Sequence, residues 1–183
     1  MTPINELRNE HAAVKVALNI LEHMVWEIDE TGRLRYPEDA EGLIDFFSGF
    51  VDTCHHGKEE RHLFVDLEKI GIPREGGPIG VMLAEHETGR SHIRGMKQAF
   101  ADPGPESAAA FAHHAAAYVE LLRGHIEKED KVLFPLAEQR LSRANQADLS
   151  ARFEALEKDL VGEGKHKVYH ALIDRLAVRY LAD

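Results

Sequence analysis

Residues 55–64 read His55-His56-Gly57-Lys58-Glu59-Glu60-Arg61-His62-Leu63-Phe64, and residues 125–134 read His125-Ile126-Glu127-Lys128-Glu129-Asp130-Lys131-Val132-Leu133-Phe134. His, Lys, Glu, an acid, Leu and Phe fall in one register in the two stretches. Each stretch has a partner upstream, Glu10-His11 before the first and Glu85-His86 before the second. The chain therefore carries a unit twice: a helix with a lone inward histidine, then a helix with His-x-x-x-Glu. Residues four apart lie on one helix face, one turn from each other, so His55 with Glu59, and His125 with Glu129, are expected to reach a common point in the interior.

Outward from these stretches, breaker residues divide the chain into long helical pieces and leave almost nothing that reads as strand. Pro3, Thr31-Gly32, Tyr36-Pro37, Gly71 to Pro78 and Ala101 to Pro105 are the punctuation. The first piece shows a stripe through Ile4, Leu7, Val14, Leu18, Leu21, Val25 and Ile28, and His11 fills its gap. In the third, Ile79, Met82, Ile93, Met96 and Phe100 form the stripe, with His86 and Gly89 in the missing positions. The second runs Ile44, Phe47, Val51, His55, Glu59, His62, and the fourth runs Phe111, Tyr118, Leu122, His125, Glu129, Val132, Leu136. Short connections make neighbours antiparallel, so the fold class is all-α, an up-down-up-down four-helix bundle with two additional C-terminal helices. Pro135 is expected to kink or end the regular part of the fourth helix. The bundle takes residues 1–141. Residues 142–183, split at Gly162-Glu163-Gly164, are a helical appendage whose last stripe, Val168, Leu172, Leu176 and Tyr180, packs on the bundle or on a partner.

Composition narrows the function. There are 183 residues, enough for one domain of ordinary size, with 44% hydrophobic and 30% charged side chains. Acidic residues outnumber basic ones 32 to 22, the wrong sign for a protein that neutralises phosphates, so no nucleic acid partner is expected. No stretch reads as a signal peptide or a membrane span, so no membrane partner is expected either. The single cysteine, Cys54, excludes an internal disulfide and fits a reducing, cytoplasmic setting. Histidine is the anomaly, with 12 residues.

Buried carboxylates without partners cost several kcal/mol, roughly, and clustered histidines fill a core less well than leucine. A cation is the natural compensation. Mixed imidazole and carboxylate donors suit a first-row metal, and bridging carboxylates are the usual means of holding two. The candidate metal ligands are His11, His55, His86 and His125 as terminal donors and Glu59 and Glu129 as bridges. Two octahedral ions have about twelve positions, of which these six residues fill about eight, leaving about four for a bridging oxide or hydroxide and small ligands. A closed structural zinc needs about four ligands, fewer than are present.

Asn9-Glu10-His11, the 55–64 stretch, Ala84-Glu85-His86-Glu87-x-Gly89-Arg90 and His125-x-x-Lys128-Glu129-Asp130-x-x-Leu133-Phe134-Pro135 together resemble the hemerythrin-like family, in its HHE cation-binding branch, over roughly residues 4–140. The resemblance implies a four-helix bundle and a non-haem centre of two iron ions, bridged by two carboxylates and an oxo or hydroxo group, that meets O2, peroxide or nitric oxide. Oxygen carriers of the family have a second histidine four residues after the one in the third helix, where this chain has Arg90; His92 lies six on, nearly on the opposite face. The carriers also use His-x-x-x-x-Asp in the last bundle helix, which His125 and Asp130 satisfy, whereas the internal repeat favours Glu129.

Other polar residues are expected to do less. His56 and Glu60 read as solvent-facing, Glu10 and Glu85 as surface charge, Tyr118 as core, Cys54 as a buried small hydrophobe, and His62 as an inward residue beside the ligands. His166 and His170, four apart, form a candidate surface pair. Two functions follow: a di-iron protein that binds O2, nitric oxide or iron as sensor, store or scavenger, or an oxidoreductase that decomposes peroxide or reduces nitric oxide at the same centre. The partner is a small diatomic ligand or peroxide, and the C-terminal helices are candidates for a homodimer contact.

Overall fold

The computed structural model describes every residue except 102, 103, 105, 161–163 and 183. The described residues form six helices and no strand. They are α1 (Pro3–Thr31), α2 (37–69), α3 (Pro78–Ala101), α4 (107–140), α5 (Arg143–Leu160) and α6 (Lys165–Tyr180). Most of the Ala101 to Pro105 breaker, and Gly162-Glu163 of the last one, lie outside the described residues.

Helix ends follow the local chemistry. Thr2 caps α1 by accepting the Asn5 N–H at 3.2 Å, Pro3 occupies the first turn where its missing donor is harmless, and Gly32 ends the helix at φ 72°. Neighbouring helices meet in register, numbers rising on one as they fall on the other. Arg8 meets Glu138, Lys15 meets Asp130 and Arg123 meets Glu22 between α1 and α4; Lys97 meets Ser48 and Arg90 meets Asp52 between α3 and α2.

Helices α2 and α4 are not regular. In α2 the chain is π-helical over Phe46–His56 and again over Glu59–Leu63; in α4 it is π-helical over Glu129–Leu133. The N–H of Phe64 bonds the carbonyl of Glu59, and that of Phe134 the carbonyl of Glu129, each five residues back. A π turn inserts an extra residue, and such turns gather at functional sites. It also shifts the phase of everything after it. The inward row therefore steps Glu59 to Leu63 and Glu129 to Leu133, both leucines buried. His62 and Val132, placed on the inward row by ordinary helical spacing, are displaced from it, and Val132 is 56% exposed. Pro135 falls in the first turn of the regular segment Phe134–Arg140 that follows the π turn, so it is accommodated there.

The core is cut by a polar layer. One apolar cluster contains Ile4, Leu7, Leu63, Phe64, Met82, Leu133 and Phe134, and the other contains Val14, Leu18, Val51, Ile93, Tyr118 and Leu122. Between them lie His11 on α1, His55 and Glu59 on α2, His86 on α3 and His125 and Glu129 on α4.

The C-terminal helices pack on the flank of this same chain. Leu149 and Phe153 of α5 join the first cluster, and Tyr169, Ile173, Leu176 and Tyr180 of α6 join the second. Val168, expected on the buried stripe of α6, is 64% exposed, because Tyr169 and Ile173 take the inward face instead. The approach at Gly49 is close: a Cβ there would lie 2.1 Å from the Tyr169 hydroxyl. The buried Asp39 of α2 accepts from Tyr180 at 3.2 Å and from Arg175 at 3.1 Å, and also pairs with Arg179.

Candidate metal centre

All six expected residues meet in the polar layer, and a seventh, His56, joins them. The seven are between 0% and 3% exposed. They fall into two groups, His11 with His55 on one side and His56, His86 and His125 on the other, with Glu59 belonging to both. Glu129 lies 3.2 Å from Nε2 of His11 through Oε2 and 3.3 Å from Nε2 of His125 through Oε1. Glu59 lies 3.6 Å from Nε2 of His55 through Oε1 and 3.5 Å from Nε2 of His86 through Oε2. Each carboxylate thus turns one oxygen to each histidine group.

The second nitrogen of four of these rings is fixed by a carboxylate. Nδ1 of His11 lies 2.9 Å from Asp130, that of His55 2.7 Å from Glu10, that of His86 2.7 Å from Glu60 and that of His125 3.0 Å from Glu85. A carboxylate only accepts, so Nδ1 carries the hydrogen, and in the neutral ring Nε2 presents a lone pair. The carboxylates are themselves held by cations. Lys15 bonds Asp130 at 2.8 Å, Lys58 bonds Glu10 at 2.5 Å, Arg90 bonds Glu60 at 2.5 Å, and Lys128 bonds Glu85. The duplication therefore extends to the surrounding layer: Glu10 corresponds to Glu85, Glu60 to Asp130, and Lys58 to Lys128. Such outer partners fix the tautomer and orientation of ligand histidines.

This arrangement corrects four expectations. Glu10 and Glu85 are not surface charge; each orients the histidine of the following helix rather than its own neighbour in sequence. Glu60 is not solvent-facing but sits against His86 and Arg90. Asp130 serves His11 from outside the cluster, while Glu129 lies within it. His56 is not exposed. It stacks on His86 with ring centroids 3.8 Å apart, because the wide π turns before it narrow the angle between adjacent side chains and bring both His55 and His56 inward. Arg90, at the position where oxygen carriers have a histidine, anchors Glu60 and Asp52. The sequence carried one sign of the wider backbone, though not of His56 itself: Phe46-Phe47, Phe50-Val51 and Cys54-His55 are apolar or inward doublets repeating every four residues, slower than an ordinary helix.

The inner atoms are left for a cation. Nε2 of His11 faces Nε2 of His55 at 3.1 Å, and Nε2 of His86 faces Nε2 of His125 at 3.1 Å. Two neutral imidazoles cannot both satisfy such a contact with lone pairs; burial opposes a proton there, yet Asp130 and Glu129 raise the pKa of His11, and Glu129 and Glu85 raise that of His125 to about 9, so one ring of each pair carries a proton that a metal would replace. The four oxygens of Glu59 and Glu129 and both nitrogens of His56 are buried without a hydrogen-bond partner among the described residues. Burial and the facing Glu129 push Glu59 well above the usual carboxylate range, whereas His125 and His11 overcome burial and hold Glu129 well below it. Burial and the neighbouring His86 and His125 keep His56 neutral. Buried groups of this type, orphaned together, are what a metal satisfies, so the donor set fits one.

Comparison with known proteins agrees. The description of the hemerythrin HHE cation binding domain matches residues 2–137. Over 180 residues the chain is 23% identical to uncharacterized protein Rv1995 of Mycobacterium tuberculosis and equally to uncharacterized protein Mb2018 of Mycobacterium bovis, covering 97% of this chain and 68% of each relative. No solved structure is a significant match. With clusters of histidine and glutamate able to hold metal and a family match over most of its length, the chain belongs to the hemerythrin HHE cation-binding domain family.

Proposed function

We propose that residues 1–141 form an up-down-up-down four-helix bundle holding two non-haem irons, with residues 142–183 as an appendage on its flank, and that the protein binds a small ligand, O2 or nitric oxide, or iron itself, as sensor, store or scavenger. The observation that carries this is the pair of histidine groups spanned by Glu59 and Glu129, whose four oxygens lack any other partner. His11 and His55 would hold one ion, His56, His86 and His125 the other, and the two glutamates both. Iron in this setting supplies reversible one-electron chemistry and Lewis acidity. With His56 counted, seven residues fill about nine of about twelve positions on two octahedral ions, so about three remain, more of them on the His11–His55 side. The burial of all seven side chains supports a ligand of diatomic or peroxide size. Glu10, Glu60, Glu85 and Asp130 keep the hydrogen on Nδ1 and so keep Nε2 available as donor.

The same vacant positions would serve an oxidoreductase acting on peroxide or nitric oxide, the second reading. Exposed Val168 and Val178 on α6 are the residues a homodimer through the C-terminal helices would use. Among the described residues no helix is long and apolar enough to cross a membrane, and the buried free thiol of Cys54 supports a reducing, cytoplasmic site of action. Elemental analysis with an optical spectrum tests the metal assignment. Two irons per chain with the near-ultraviolet absorption of a carboxylate-bridged ferric pair are expected; a chain that takes up other metal but no iron would overturn it. Adding nitric oxide or peroxide to the iron-loaded protein then separates the readings, since stoichiometric uptake favours binding and continuous consumption favours the enzyme.

A further inference from the structure

The seam between the bundle and the C-terminal helices holds a second cluster that the histidine–glutamate centre does not use. Sγ of Cys54 on α2 lies 3.5 Å from Nε2 of His166 on α6, and that nitrogen lies 3.6 Å from Oε1 of Glu157 on α5. Donor atoms of the three lie within 4.8 Å of one another. A tetrahedral ion with a thiolate at about 2.3 Å and imidazole and carboxylate donors at about 2.0–2.2 Å spaces its ligand atoms roughly 3.3–3.6 Å apart. The two observed separations already have that length. Cys54 is fully buried while His166 and Glu157 are 29% and 31% exposed, so the cluster is closed toward the bundle and open toward solvent, leaving a fourth position to water.

The surrounding charge favours a cation. Nζ of Lys58, itself wholly buried, bonds Glu6 at 2.6 Å and Glu10 at 2.5 Å and also pairs with Glu157. One ammonium therefore faces three carboxylates, and the surplus of two negative charges lies beside the thiol. A donor set of thiolate, imidazole and carboxylate selects a borderline-soft divalent ion over magnesium or calcium.

We propose that Cys54, Glu157 and His166 form a second, mononuclear cation site for a zinc-class divalent ion, which fastens the two C-terminal helices to α2. On binding, the thiol proton passes to solvent and the sulfur becomes the metal donor. The site is independent of the iron assignment, since it shares no residue with it.

Cobalt(II), a spectroscopic substitute for zinc, tests the assignment on the full chain after iron loading. The expected result is one cobalt per chain bound with a thiolate-to-cobalt charge-transfer band and tetrahedral visible bands. Cys54→Ala abolishes the charge-transfer band while iron content stays unchanged. Glu157 and His166 are both partly exposed, and circular dichroism together with iron content on Glu157→Gln and His166→Ala checks that each variant keeps the fold. Each should weaken cobalt binding by at least the roughly 10- to 100-fold that loss of an outer partner produces. The proposal is overturned if no charge-transfer band forms, if the band survives in Cys54→Ala, or if cobalt affinity is unchanged in His166→Ala; the last result would leave Cys54 and His166 as a thiol–imidazole hydrogen bond only.

Discussion

Replacing Glu59 by methionine should change the sign of its effect according to whether metal is present. In the metal-free protein Glu59 is wholly buried and neither of its oxygens has a hydrogen-bond partner. Each buried group left unsatisfied costs about 1–3 kcal/mol. Burial and the neighbouring Glu129 push its pKa well up, so it stands there as the neutral acid and no ion pair is lost with it. Methionine has nearly the same length and volume, and a volume-conserving exchange in a core costs less than about 1.5 kcal/mol. The metal-free Glu59→Met protein is therefore expected to be at least as stable as the parent, by up to about 3 kcal/mol. At this chain length each kcal/mol moves Tm by about 2–4 °C. With iron the order should reverse: a ligand at a thousandfold excess over its Kd stabilises the parent by about 4 kcal/mol, and the variant lacks the carboxylate proposed as a bridging donor. Thermal unfolding followed by circular dichroism, on both proteins with chelator and with iron(II), measures all four values. A metal-free variant that melts below the metal-free parent, or iron that raises both proteins equally, would refute the reasoning.

Three further outcomes are expected. His56→Ala should lower metal content or weaken metal binding at least tenfold by equilibrium dialysis, whereas His62→Ala, outside the cluster, should leave content unchanged. Glu10→Gln, which removes the carboxylate behind His55, should reduce metal affinity roughly 10- to 100-fold in competition with a chromogenic chelator. Burial opposes ionisation of Asp66, but the bonds from Arg152 and Lys69 outweigh it and hold its pKa below the ordinary 3.8. Its contribution to stability is then fully present above the unfolded pKa and lost as pH falls through the folded one. Asp66→Asn should accordingly lower Tm at neutral pH, with the difference from the parent vanishing in strong acid.

Much of the centre was legible because helical periodicity and the internal repeat act together. His11 and His86 stood in gaps of apolar stripes, and the four-residue spacing of His55 with Glu59 and of His125 with Glu129 was sufficient to send them to one layer. His56 was not legible by the same rule, because the rule assumes an ordinary helix and the backbone from Phe46 to His56 is wider. The same assumption put His62 and Val132 on the inward row. Glu10, Glu60, Glu85 and Asp130 escaped for a different reason: their partners lie on other helices, and adjacency in sequence says nothing about contacts across a bundle. The repeat did pair them, Glu10 with Glu85 and Glu60 with Asp130, and that correspondence was the available sign that they share a task.

The wide turns of α2 and α4 make spacing itself a specified quantity. One residue of ordinary helix is about 100° of rotation and 1.5 Å of rise. A single deletion between Phe46 and Glu59 that restored the common pitch would return the glutamate to the layer, whereas the same deletion in a turn that stayed wide would swing it a quarter-turn or so out. Homologues that keep all seven residues but are one shorter in that interval would therefore need an ordinary turn where this chain has a wide one, so the length of the interval and the pitch of the backbone are a single linked quantity.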